Sequence, residues 1–235
     1  MATLRCVCNK VRIHFSLAPF KRLQCCCCDC RKGIAFSASK GGKSGPVAPD
    51  LVYFPNALQV KSGFEHLRCF LIQKGFTTRR VYATCCWTAL LGDHPAYEGV
   101  RVVTYNDPAI IELDDAKASL LPIERRIFQG DMTKEELAKV APFTPPTVQV
   151  DQKKVMEGVK SGLEALWAEV HRTQQQQQQQ EQPEQPPSRQ KDELETVQGL
   201  IERIGKVEIA YPNHSGPEPR YNRTLREHLQ NKLKL

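Results

Sequence analysis

The sequence predicts a mainly β protein with a helical and low-complexity C-terminal extension, and three observations carry that prediction. Seven or eight short apolar runs succeed one another between Leu4 and Leu113, punctuated by Gly, Asn, Asp and Pro with no long helical pattern between them. All ten cysteines lie at or before Cys86 and none follows. From about residue 131 the apolar period becomes helical and is then broken by seven consecutive glutamines, Gln174 to Gln180.

Taken in order, Leu4 to Val7 and Val11 to Phe15 read as strands around a Cys8-Asn9-Lys10 turn, asparagine being tolerant of positive φ. Cys6-Val7-Cys8 puts two thiols on one side of a strand end, half of a four-ligand metal site. Five thiols then crowd into Cys25-Cys26-Cys27-Cys28-Asp29-Cys30. If this stretch is extended, Cys25 and Cys27 face one way and Cys26 and Cys28 the other. A turn after Cys27 would bring Cys30 beside the first pair and make a three-thiolate face. Three protein ligands leave a tetrahedral ion one open position, the arrangement of catalytic zinc.

Strands are next expected at Leu51 to Phe54, Leu58 to Lys61, Leu67 to Gln73, Thr77 to Tyr82, Val100 to Tyr105 and Ala109 to Leu113. Thr133-Lys134-Glu135-Glu136 is a capping-box start for a short helix that ends before Pro142. Val155, Val159, Leu163, Leu166, Trp167 and Val170 recur at helical spacing, which predicts an amphipathic helix over about 152–172. A Gln/Pro-rich linker over 173–191 cannot bury enough apolar surface to order itself. Leu194, Val197, Leu200, Ile201 and Ile204 mark another helix, and Arg223 to Leu235 is a basic, leucine-spaced end. The expected organisation is a cysteine-rich β domain over 1–130, a helical extension over 131–172, the linker, and a helical tail over 192–235. Those helices could cover the β core, pair with one another or meet a protein partner.

Apolar residues make up 40% of the chain, enough for a core, but no apolar run approaches the roughly 20 residues that span a bilayer. The N-terminal residues have no apolar signal-peptide core, so a cytoplasmic setting is expected, with the nucleus as the alternative. There, clustered cysteines bind metal or do redox work more often than they form disulfides. The sequons at Asn213 and Asn222 would then be inert. Residues 1–130 carry 18 Lys and Arg against 10 Asp and Glu, whereas 131–235 carry 15 against 16. A basic domain invites nucleic acid, but thiolate metal sites would offset part of that charge, and nothing beyond charge argues for it.

Three segments together resemble the glutathione-dependent formaldehyde-activating enzyme family, which includes centromere protein V. They are Cys6-Val7-Cys8 with Val11, Cys25-x-Cys27-x-x-Cys30-Arg31, and Cys86-Trp87-Thr88-Ala89-Leu90. The family's patterns are C-x-C-G-x-V, C-H-C-x-x-C-R and C-x-x-C-G-T-x-L. Thr104 to Pro108 and Arg126-Ile127-Phe128 resemble its later G-T-L-D-D-P and H-I-F segments. The resemblance spans about residues 3–130. It implies a zinc-binding β-tent fold with a structural site from the first and third motifs and a three-cysteine site, proposed to be catalytic, from the second. Where the family has its first cysteine of the third motif this chain has Ala83, which reduces the structural set to Cys6, Cys8 and Cys86. Cys85 is adjacent and could substitute, but neighbouring residues are expected to project apart and rarely share a tetrahedral ion without backbone strain. Trp87 and Asn9 stand where the family has glycine, and Cys26 where it has histidine.

The resemblance implies zinc on Cys25, Cys27 and Cys30, taking a small thiol such as glutathione and making or breaking a carbon–sulfur bond. Arg31 would balance the thiolates or lie on the surface. Asp29 would cap the turn, and Lys32, Lys40 and Lys43 would meet a thiol's carboxylates or solvent. His14, His66 and His94 show no ligand spacing to the cysteines. Two other classes of function stand beside this one. One is a non-catalytic, zinc-stabilised module that binds a protein or chromatin partner. The other is redox sensing or metal buffering by vicinal thiols.

Overall fold

In a computed structural model that describes residues 1–97, 99–106, 109–114, 120–140 and 194–211, the short apolar runs pair into two sheets. Strands β1 (Ala2–Arg5), β2 (Arg12–Phe15) and β3 (Lys21–Cys25) precede helix α1 (Cys28–Ser39). Then come β4 (Asp50–Pro55), β5 (Leu58–Ser62), β6 (Leu67–Leu71) and β7 (Arg79–Ala83). Strands β8 (Thr88–Asp93), β9 (Arg101–Tyr105), β10 (Ile110–Leu113) and β11 (Arg125–Ile127) follow. Helices α2 (Lys134–Ala138) and α3 (Val197–Ile204) and strand β12 (Val207–Ile209) come last.

The smaller sheet runs β10-β1-β2-β5 and is antiparallel throughout. The larger runs β11-β3-β4-β9-β8-β7-β6-β12 and is antiparallel except at its two edges, where β11 and β12 lie parallel to their neighbours. Alternation along each strand gives the large sheet two apolar faces. One face carries Val52, Phe54, Val81, Leu91 and Val102 and packs against Leu4, Ile13 and Phe15 of the small sheet. The other carries Leu51, Phe70, Tyr82, Val103 and Tyr105 and is covered by α1 through Ile34 and Phe36. The protein is therefore mainly β, as the spacing of the runs predicts.

Helix α1 departs from expectation. The chain does turn after Cys27, but into twelve residues of helix. Cys27 is the N-cap, with extended φ and ψ of −63° and 148°, and its Sγ accepts the Cys30 N–H at 3.4 Å. The extended reading of the thiol run thus holds up to Cys27, and Cys28 belongs to the helix. Strands β3, β8, β11 and β12 were also not among the expected runs. The capping box at Thr133 and Glu136 is present and opens α2.

Residues 194–211 are built into the β domain, the first of the alternatives open to the C-terminal helices. Val197, Leu200 and Ile201 of α3 are core residues, and the Val197 N–H donates to Asn56 Oδ1 at 2.7 Å. Glu195 bridges Leu58, and β12 extends the large sheet beyond β6. The helix expected at 152–172, the glutamine-rich linker, the sequons and Arg223 to Leu235 lie outside the described residues. No helix among the described residues is long and apolar enough to cross a membrane.

Candidate metal centres

All ten thiols are free, and two groups of them converge. Cys6, Cys8, Cys85 and Cys86 form the first, Cys25, Cys27 and Cys30 the second, with the sulfurs of each group within 4.8 Å of one another.

The first group is assembled by two turns 79 residues apart. At one, β1 and β2 are joined through Asn9, which takes φ 62°, as expected of that asparagine. At the other, β7 and β8 are joined through Trp87, which takes φ 51° and so supplies the left-handed residue usually left to glycine. That turn brings Cys85 as well as Cys86 to Cys6 and Cys8. Cys85 does not project away: it lies 3.3 Å from Cys8 and 3.8 Å from Cys6, while Cys6 and Cys8 are 3.5 Å apart. Cys86 completes the group, its Sγ 3.0 Å from Thr88 Oγ1. The group thus offers four sulfur donors, with Cys85 the fourth beside Cys6, Cys8 and Cys86. A four-coordinate ion with metal–sulfur bonds of about 2.3 Å has sulfur–sulfur edges of about 3.8 Å. The observed spacings match that edge, and they far exceed the roughly 2 Å of a disulfide.

Strand β3 ends at Cys25 and α1 begins at Cys28, so the second group straddles a strand-to-helix junction. Cys25 Sγ donates to Cys27 Sγ at 3.3 Å, and Cys30, one helical turn beyond Cys27, comes back to both. This is the three-thiol face expected from the spacing. Residues 125–131 run alongside it. Ile127 of β11 lies opposite Cys25, the Cys26 N–H donates to the Ile127 carbonyl, and the Cys28 N–H donates to Asp131 Oδ2 at 3.3 Å. Cys26 and Cys28 stay out of the group. Burial pushes both thiols up to about 11.

The free thiols are unequal. Hydrogen bonds with Cys27 and Cys30, then burial, drive Cys25 well above the usual thiol value. Hydrogen bonds from Cys25 and Cys27 draw Cys30 well below it, helped by the charge of Arg80. In the four-thiol group burial opposes ionisation of Cys8, but the Lys10 N–H and the thiols of Cys85, Cys6 and Cys86 bring it down to about 7. Each group thus contains one thiol that ionises readily and neighbours that must shed protons on binding a metal, so loading releases acid.

The charged candidates are rearranged. Arg31 donates to the Cys26 carbonyl, to Glu136 Oε1 at 2.6 Å and to the Asp131 carbonyl, and so ties α1 to α2 and the turn before it. Asp29 is not the cap, a role Cys27 takes. It is buried in the first turn, where burial and then the charge of Cys27 raise its carboxyl to about 6. Lys32 reaches Gln73 and the ring of Phe76, Lys40 lies over Phe36 and Trp87, and Lys43 is exposed. His14 lies on β2 opposite Thr3, and His66 sits beside Glu65. His94 is buried near Thr77, where burial and then Arg80 and Arg101 lower it to about 4.

Sequence reasoning missed Arg80, which is 1% exposed between the large sheet and α1. The available signal was parity: on β7, Arg80 shares a face with Tyr82, whose hydroxyl donates to the Gly33 carbonyl of α1.

Both groups could hold a metal ion, one with four sulfur donors and the other with three. No family model, curated protein or solved structure matches this chain.

Proposed function

We propose that the chain binds two zinc ions, one closed and structural on Cys6, Cys8, Cys85 and Cys86 and one open on Cys25, Cys27 and Cys30. At the open site it would act as a carbon–sulfur lyase-type protein on a thiol adduct such as S-hydroxymethylglutathione. The observation that carries this reading is the donor count: four sulfurs meet in one group and three in the other, at spacings that suit a tetrahedral ion. Thiolate sets favour zinc, copper(I) and iron–sulfur centres, and a mononuclear tetrahedral site points to zinc. Zinc there would supply a Lewis acid with one exchangeable position.

The chain's own contribution is to hold three sulfurs together at a strand–helix junction, with Arg31 engaged by Glu136 and backbone carbonyls. In the forward direction the sulfur of the thiol joins the carbonyl carbon of an aldehyde, and the thiol proton ends on the former carbonyl oxygen. The reverse breaks the same bond and returns the aldehyde and the free thiol.

Burial of Cys25, at 2% exposure, favours a second reading, a non-catalytic zinc-stabilised module that binds a protein or chromatin partner. Zinc per chain, measured on wild type, Cys30→Ser and Cys85→Ser purified under reducing conditions, tests the metal assignment. Two ions in wild type and one in each variant are expected; no zinc in wild type refutes both readings. Release of formaldehyde from S-hydroxymethylglutathione, present in wild type and lost in Cys30→Ser, supports the lyase. No turnover, together with zinc that chelators cannot remove, favours the binding module.

A further inference from the structure

Arg80 is a buried cation that touches no carboxylate among the described residues. Its Nε donates to the Tyr105 hydroxyl at 3.1 Å and its Nη1 to the Thr78 carbonyl at 3.2 Å. Among the described residues the guanidinium makes no other hydrogen bond and no ion pair with a carboxylate. A guanidinium has five N–H donors, and withdrawing its charge from water costs several kcal/mol unless an anion answers it.

The surroundings point to where that anion belongs. Across the sheet Arg80 is opposite Phe70 on β6 and Gly92 on β8, neither of which carries charge. Above it lies α1, at Gly33. A Cβ on Gly33 would come 3.0 Å from Arg80 Nε and 3.3 Å from the Tyr82 hydroxyl, so a glycine there lets the guanidinium reach the helix. Gly33 is three residues past Cys30 and therefore on the same helical face, one turn along. The cation thus meets α1 one turn from Cys30, whose thiol its charge acts on, with the N-terminus of α1 adding its partial positive charge. Of the groups acting on Arg80, Tyr105, Cys30, Tyr82 and Asp29 favour its charge and burial opposes it.

We infer that Arg80 is the counter-charge of the three-thiol centre and makes its open position selective for an anionic ligand, a thiolate, over a neutral one. This rests on the two-zinc reading above. A divalent ion with three thiolates carries one net negative charge, and a fourth thiolate makes it two. Arg80 offsets the added charge from inside the protein, where screening is weak. Asp29, buried in the first turn of α1, opposes it. The selectivity acts on the sulfur itself, whatever the rest of the thiol carries.

The test uses the full chain loaded with cobalt(II), whose sulfur charge-transfer absorption reports the fourth ligand. Titration with 2-mercaptoethanol, which has no carboxylate, is compared with titration by neutral imidazole. Arg80→Met is expected to weaken thiol binding about tenfold relative to imidazole. Arg80→Lys is expected to restore the wild-type ratio, and Asp29→Asn to shift it towards the thiol. An unchanged ratio in Arg80→Met, or equal losses for both ligands, overturns the inference. If Arg80→Met does not fold, Arg80→Lys decides: a retained ratio upholds the counter-charge and a lost one refutes it. If wild type itself takes no cobalt on the second group or binds no thiol, the open-site reading fails and this inference falls with it. Thiol binding in wild type and Arg80→Met alike leaves that reading standing and removes only the role of Arg80.

Discussion

Lowering the pH from about 7 to about 5 is expected to destabilise the fold by about 2 kcal/mol through His94 alone. His94 is 4% exposed at the end of β8. Its ring lies 3.3 Å from Thr77 Oγ1 and faces Tyr97 at 5.7 Å between ring centres. Burial, then the charges of Arg80 and Arg101, hold it at about 4, against about 6.5 in the unfolded chain. The folded-state value is depressed, so between these two values the unfolded chain binds the proton and the folded chain does not. Stability is therefore intact above about pH 6.5, declines as the pH falls, and stops declining through this group below about pH 4. The whole interval corresponds to about 3 kcal/mol, of which about 2 is spent by pH 5. Urea unfolding at the two pH values checks this in wild type and His94→Gln, whose side chain stays neutral. The thiol groups also respond to acid, but equally in both proteins, so the difference between the two slopes isolates the histidine. The wild-type midpoint is expected to drop by about 1 M urea more than the variant's. Equal drops would show that the ring is solvated or already charged in the fold, and would refute the argument.

Two further outcomes follow from packing. Leu200→Ala empties a fully buried position of α3 and is expected to cost about 3 kcal/mol, read as a lower urea midpoint with an unchanged slope. Trp87→Gly sets two effects against each other. Relief of φ 51° gains about 1 kcal/mol, but the rings of Phe36 at 5.9 Å and Phe70 at 6.1 Å lose their partner. Packing wins, and calorimetry is expected to show a lower melting temperature; a higher one would mean that backbone strain dominates the turn.

Much of the fold was legible because the large sheet alternates, or runs continuously apolar, between residues that break strands. Helix α1 was not legible for reasons visible in its residues. Its N-cap is a cysteine rather than Ser, Thr, Asp or Asn, and Gly33, Ser37 and Ser39 weaken any apolar stripe. Strand β12 has only three residues and exists because β6 offers an open edge, a tertiary cause that no local pattern carries. In the site, the pairing of Cys6 and Cys8 and the trio Cys25, Cys27 and Cys30 could be read from spacing. Cys85 could not, since its position depends on a tryptophan adopting a left-handed conformation. Arg80 follows an exposed-looking Thr77-Thr78-Arg79 run that masks its parity with Tyr82, and the sheet register shows that it points inward while Arg79 pairs with Asp93.

The late arrival of β12 bears on how the protein is made. Strand β6 leaves the ribosome early, with the apolar sequence Leu67-Arg68-Cys69-Phe70-Leu71, and β7 can pair with only one of its sides. The other side waits for Val207–Ile209, 136 positions after Leu71. At usual elongation rates that wait is on the order of ten seconds. Throughout it, the nascent chain presents an unpaired apolar edge of the kind that recruits other strands. Pairing of β6 on both sides thus becomes possible only once nearly all of the described residues have been made.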